Sequence, residues 1–201
     1  PGLSDARNNL ANLYRETGRP ALAEREYRAA LAEGGETAEY LSNWGLQLLD
    51  RGDAAGAEAL FRRAIALNPS LPQPRYNLGN ACARQEKIAE AIESYSRAIE
   101  LNPDYARAFF NRGQLRGARE DWDGALADFL AAAGLERNAA AEARAGLILT
   151  LVNKDPEAAR PHLLRALQID PRLPERAEVE KALQTRRSAR PEGSAGAPTL
   201  P

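Results

Sequence analysis

The sequence predicts an all-α solenoid of stacked helix hairpins, and three observations carry that prediction. The first is an internal period: aligned on Ser4, Ala38, Pro72, Ala106 and Ala140, five consecutive 34-residue segments need no gap. A period of this length marks an array of supersecondary units rather than one globular core. The second is composition. Ala, Leu, Arg and Glu dominate, aromatics make up only 6% of the 201 residues, and Val and Ile are sparse, which favours helix over strand. The third is punctuation: Asn68-Pro69, Asn102-Pro103 and Asp170-Pro171 recur at the close of segments, where proline lacks a donor and disfavours a helical residue before it.

The repeats are assigned to residues 4–37, 38–71, 72–105, 106–139 and 140–173. In the third, from Pro74 to about Arg84, Leu78, Gly79 and Cys82 share one face at helical spacing, and Ala91, Ile92, Tyr95, Ala98 and Ile99 do the same in the second half. Gly79 and Ala91 are small where the two helices approach, and Tyr95 fills space between one hairpin and the next. The place of Ala91 is held elsewhere by Ala23, Ala57, Ala125 and Ala159. That of Tyr95 is held by Tyr27, Phe61, Phe129 and Leu163, and that of Ala98 by Ala30, Ala64, Ala132 and Ala166. Turns inside the pairs carry their own signals: Gly18 before Arg19-Pro20, Gly52-Asp53, and Asp155-Pro156 with Asp as cap and Pro as first helical residue. A lone hairpin this short cannot bury its apolar face, so neighbours supply the missing wall, and one elongated body is expected. The Gly34-Gly35 and Arg137-Asn138 junctions lack the Asn-Pro stop and are the expected bending points. A capping helix is predicted from 174 to about 187, offering Ala177, Ala182 and Leu183 for burial, while Glu180 and Lys181 stand where a further repeat would need apolar and small residues. The repeat domain so assigned is residues 1–187, and residues 188–201, rich in Pro, Gly, Ser and Ala, are expected to be a disordered tail or linker.

The formal charge of -1, from 27 basic and 28 acidic side chains, gives no surplus that points to nucleic acid or an anionic membrane. Basic residues do not alternate with exposed aromatics, so nucleic acid is not an expected partner, and Arg186-Arg187 with Arg190 is taken as a solubilising helix end. The longest apolar stretch, Gly146 to Val152, is too short to cross a bilayer, so membrane insertion is not expected. Cys82 is the single cysteine and is silent on compartment; localisation stays open, with a soluble, cytoplasmic setting favoured. The chain has no methionine and opens on Pro1, which suggests a processed, trimmed or excised segment. His162 and Cys82 lack companions for a nucleophile–base pair or a metal set, and no glycine loop suits a phosphate. Neither catalytic residue, metal nor cofactor is therefore expected.

With this period, glycine or alanine at the eighth place (Ala11, Gly45, Gly79, Gly113), the alanine–aromatic–alanine set and proline at place 32, the chain resembles the tetratricopeptide repeat family over residues 4–171 and through the helix after them. The resemblance implies a right-handed superhelix whose first helices line a concave groove. Two departures stand out. The fifth repeat has Leu147 at the eighth place and Gly146 one place early, and Arg112 stands where leucine is usual. Both are expected to loosen local packing, the arginine stem lying along apolar surface with its head in water.

The resemblance puts places 2, 5, 6, 9 and 13 of each repeat on the groove. Place 6 holds Asn9, Asn43, Asn77 and Asn111, broken at Ala145, and place 9 adds Asn12, Asn80 and Gln114. A ladder of short amides can bond the N–H and C=O groups of an extended peptide without reading its side chains; asparagines here are also common as plain solvated residues. Tyr76 and Phe110, both at place 5, either wall a pocket for a ligand side chain or pack on a neighbouring helix. Asp5, Glu16, Glu39 and Asp50 fall in the first two repeats and Arg84, Arg107 and Arg144 in the last three. A bound peptide is thus expected to lie with a basic portion toward the first repeats and an acidic group toward the arginines. The expected function is a non-catalytic scaffold or adaptor that binds an extended peptide or helix of a partner protein. The alternative is a substrate-recruiting or regulatory arm of a larger enzyme such as a glycosyltransferase. A chaperone-tail carboxylate clamp is disfavoured, because Asn8, Gln73 and Asn77 stand where its cations belong. Association of two copies through exposed ends is a further partner expectation.

Overall fold

A computed structural model describes residues 2–185; the expected tail at 188–201 and the arginines from 186 to 190 lie outside the described residues. Among the described residues there are eleven α-helices and no strand. They fall into two compact units that divide between Leu135 and Glu136, beside the junction that lacks an Asn-Pro stop.

The first unit contains α1 (Leu3–Glu16), α2 (Pro20–Gly34), α3 (Ala38–Asp50), α4 (Ala54–Leu67), α5 (Pro72–Arg84), α6 (Ile88–Leu101), α7 (Ala106–Ala118) and α8 (Trp122–Leu135). They pair as α1–α2, α3–α4, α5–α6 and α7–α8, and successive pairs meet through α2–α3, α4–α5 and α6–α7. The first helices also touch one another, α1 with α3 and α3 with α5, which puts their side chains on a shared face. The second unit pairs α9 (Ala139–Leu151) with α10 (Pro156–Ile169), and α11 (Arg176–Gln184) packs on both.

The periodic residues are the core. Ala23, Ala57, Ala91, Ala125 and Ala159 are fully buried, as are Ala30, Ala64, Ala98, Ala132 and Ala166; Tyr27, Phe61, Tyr95, Phe129 and Leu163 are at most 3% exposed. Gly79 shows why the eighth place must be small: a Cβ there would stand 2.5 Å from the Tyr95 ring, inside any van der Waals contact. Asp53 and Asp155 cap α4 and α10 by accepting from Gly56 N and Ala158 N, at 2.9 and 3.1 Å, and Thr37 and Asn138 do the same for α3 and α9. Each hairpin turn needs one left-handed residue at the same place. Gly18 and Gly52 supply it freely, whereas Glu86, Glu120 and Lys154 adopt φ of 59°, 61° and 56° despite their Cβ.

Three expectations need correction. In the fifth repeat the first helix runs one residue early, with Asn138 as its cap. Gly146 therefore takes the close contact, since a Cβ at that position would stand 2.5 Å from the Leu163 side chain, and packing is not loosened. The slip is recovered in the turn, where Asp155 N bonds Leu149 O while Asp53 N, one residue closer, bonds Leu48 O. Arg112 does not reach into water: its guanidinium bonds both oxygens of Asp128 at 3.0 and 2.7 Å, and the two side chains are 13% and 2% exposed. In α11, which starts at Arg176 rather than Pro174, it is Val179, with Ala182, that is buried; Ala177 is exposed and Leu183 half-buried.

Candidate functional site

On the shared face of the first unit, hydroxyls from the second helices decide which amides are spent. Tyr27 OH donates to Asn12 Oδ1 at 2.6 Å, and Tyr95 OH donates to Asn80 Oδ1 at 2.8 Å. These two repeats have tyrosine at place 24 and asparagine at place 9; where place 24 is Phe61 or Phe129, place 9 is Leu46 or Gln114. Burial drives the Tyr27 hydroxyl up to about 12 and the Tyr95 hydroxyl higher still, so both remain protonated donors.

Asn80 Oδ1 also accepts from Asn111 Nδ2 at 3.0 Å, and the same Nδ2 reaches Tyr76 OH at 3.3 Å. The network orients both amides. Asn80 keeps its Nδ2 donors, and Asn111 keeps its Oδ1 acceptor, without a partner among the described residues. They line a recess of about 390 Å³ together with Leu49, Arg84, Tyr95, Gln114 and Leu115. Gln114 is exposed and adds a further donor and acceptor. Arg84 is partly committed, since its Nη1 donates to Leu49 O at the end of α3.

The other residues singled out from the sequence lie elsewhere. Asn43 donates to Asn8 Oδ1 at 3.2 Å and lines a separate recess of about 280 Å³ with Ala38, Glu39, Ser42, Leu71 and Gln73. Asn77 is 1% exposed; it accepts from Gln73 Nε2 at 3.1 Å, and its Nδ2 has no partner among the described residues. Asn9 and Arg107 are exposed. Tyr76 packs 5.8 Å from Tyr95 and 4.9 Å from Tyr105, and Phe110 meets Phe129 edge-on at 5.6 Å, so both rings are used in packing. Arg144 belongs to the second unit, where it pairs with Glu175 at 3.2 Å; the register slip moves it from place 5 to place 6. Asn8, Gln73 and Leu49 were not singled out for the face. The first two sit at places 5 and 2 of the groove stripe, a spacing that could have found them.

The charged residues expected on this face are divided between its helices. Asp5, Glu16, Glu39 and Asp50 lie on α1 and α3, and Arg84 and Arg107 on α5 and α7. Of the acids, Asp5 accepts from Tyr40 OH, which lowers its carboxyl below the usual range, and Asp50 stands 3.9 Å from Arg15. Elsewhere, Glu58, Cys82 and Glu90 bring ligand atoms within 4.8 Å of one another. Glu58 is already held by Lys87, Arg62 and Gln85, and Glu90 by Arg62, so these carboxylates are neutralised by cations. His162 Nδ1 lies 2.6 Å from buried Glu142, which also accepts from Arg165. No helix of the described residues is long and apolar enough to cross a membrane.

Known proteins share this repeat and fold. A family model described as tetratricopeptide repeat matches residues 8–72, and one described as TPR repeat matches residues 79–118. No curated protein matches the chain in sequence. Among solved structures, pilF of Pseudomonas aeruginosa superposes with a TM-score of 0.77 at 25% identity, covering 89% of this chain and 81% of its own. MamA gives 0.72 at 21% identity, with 87% and 94% covered. YrrB, a TPR protein with an unusual peptide-binding site, gives 0.69 at 24% identity, with 87% and 90% covered.

Proposed function

The chain belongs to the tetratricopeptide repeat family, and from that premise we propose that the face of α1, α3, α5 and α7 holds an extended peptide of a partner protein, the chain serving as an interaction scaffold. One observation carries the reading. Asn80 and Asn111, bonded to each other at 3.0 Å, leave one amide's donors and the other's acceptor free beside a recess large enough for a side chain. That pairing matches the C=O and N–H of an extended backbone. The charge gradient sets the direction: the peptide's basic portion lies along the acids of α1 and α3, and its acidic group toward Arg107 and Arg84. YrrB carries a peptide-binding site on a like fold, which supports the choice of ligand class.

Selection of binders from a random peptide library, followed by titration of the best against variants, tests this. Gln114→Ala and Arg107→Glu, both at exposed residues, should each weaken binding about 5-fold or more with the melting temperature unchanged. Unaltered affinity in both would overturn the proposal.

A further inference from the structure

We infer that the smaller recess of the first unit, between α3 and the start of α5, takes a lysine or arginine side chain of the partner peptide. The inference rests on the groove reading above and names a residue that sets its specificity. The recess, of about 280 Å³, has apolar walls in Ala38, Leu71 and Pro74, and its polar side chains are Glu39, Ser42, Asn43 and Gln73. Every donor group among these is engaged inside the protein. Ser42 Oγ donates to Ala38 O at 2.6 Å, Asn43 Nδ2 to Asn8 Oδ1 at 3.2 Å, and Gln73 Nε2 to Asn77 Oδ1 at 3.1 Å. Gln73 Oε1 is occupied as well, by Tyr105 OH at 2.6 Å. Acceptors are what remain. Asn43 Oδ1 has no partner among the described residues, and Glu39 makes no ion pair among them, accepting only a long 3.5 Å bond from Asn8 Nδ2.

Glu39 and Asn43 stand four residues apart on α3 and so face the same way. A carboxylate seated here is repelled by Glu39, and an apolar side chain buries acceptors that it cannot satisfy. A long basic side chain meets both demands: its methylenes lie on Ala38, Leu71 and Pro74, and its ammonium or guanidinium donates to Glu39 and Asn43 Oδ1. The corresponding acid of the first repeat, Asp5, is already taken by Tyr40 OH. The two recesses also fix a spacing. Pro74 lines the one and Asn80 the other; six residues of helix rise about 9 Å, and one step between neighbouring helices adds about 10 Å across it. The diagonal of about 13 Å is spanned by about 4 residues of extended peptide.

The probe is the best peptide selected from the random library, labelled and titrated by anisotropy, with each of its basic residues replaced in turn by alanine. One such replacement is expected to weaken binding about 5-fold, Glu39→Gln in the protein to do the same, and the two together to cost no more than either alone. Changing that basic residue to glutamate should make the peptide bind the Glu39→Lys protein better than it binds the wild type. The peptide residue coupled in the same way to Gln114 should lie about 4 residues from it. Thermal melts followed by circular dichroism check that the Glu39 variants still fold. A peptide weakened by Gln114→Ala or Arg107→Glu but indifferent to Glu39→Gln, or one whose Glu39 and basic-residue losses simply add, would overturn this subsite and leave the groove reading standing. Coupling to Glu39 without any response to Gln114→Ala or Arg107→Glu would keep the subsite and overturn the wider groove. Failure to select any binder would overturn both.

Discussion

Replacing Arg112 or Asp128 alone should be among the most damaging changes in the first unit, and replacing both together should be mild. Asp128 is 2% exposed and accepts from Arg112 at 2.7 and 3.0 Å and from Arg116 at 3.0 Å. Arg112 further donates to Ser96 and lies 5.5 Å over the Phe109 ring. Arg112→Leu leaves a buried carboxylate with one cation instead of two, and a broken buried pair of this kind costs about 3–5 kcal/mol. Asp128→Ala strands Arg112 against apolar neighbours at a cost of about 2–4 kcal/mol. The double variant Arg112→Leu, Asp128→Ala removes both charges and restores the leucine usual in the family at that place. Its stability should lie within about 1 kcal/mol of wild type, which makes the coupling energy at least about 4 kcal/mol. Urea titrations of the four proteins, followed by far-ultraviolet circular dichroism, complete the cycle. Singles costing less than about 1 kcal/mol, or a double as unstable as their sum, would refute the claim that this pair is a buried, mutually dependent unit.

Phe61→Ala should cost about 3–5 kcal/mol by opening a cavity between hairpins, whereas exposed Gln114→Ala should stay within about 0.5 kcal/mol of wild type; chemical denaturation distinguishes them. Glu86→Gly should stabilise the third hairpin by up to about 1 kcal/mol, because Glu86 holds a left-handed φ that glycine adopts without penalty, and a raised melting temperature reports it. Hydrogen bonding from Lys87, opposed by burial and aided by Gln85 and Arg62, holds the Glu58 carboxyl at about 2, below its ordinary 4.5. Its contribution is therefore present above its ordinary value and lost as pH falls toward the lowered one. Glu58→Gln should be less stable than wild type at neutral pH, and the two stability curves should converge in acid.

The repeat made the hairpins legible, because residues at places 20, 24 and 27 are packing residues in every unit and recur without gaps. It also hid what varies. Gly146 looked like a defect at fixed spacing, yet α9 slides by one residue to bring it against Leu163, a slip that no fixed register can express. Arg112 looked like a solvated exception because its acceptor, Asp128, is 16 residues away on a different helix. On the proposed binding face the asparagines were singled out by position. Their commitments were not, since whether Asn80 or Asn111 has a spare donor or acceptor depends on Tyr95 and Tyr76 reaching them across helices. Arg84 and Arg144 were read as ligand cations; the first is tied to the end of α3 and the second to Glu175.

The most direct test is side-chain amide and backbone NMR of the protein titrated with the best library-selected peptide. Perturbations centred on Asn80, Asn111 and Gln114, extending along α5 and α7 toward α3, are predicted. Perturbations confined to the second helices α2, α4, α6 and α8, with those three amides unmoved, would contradict the account.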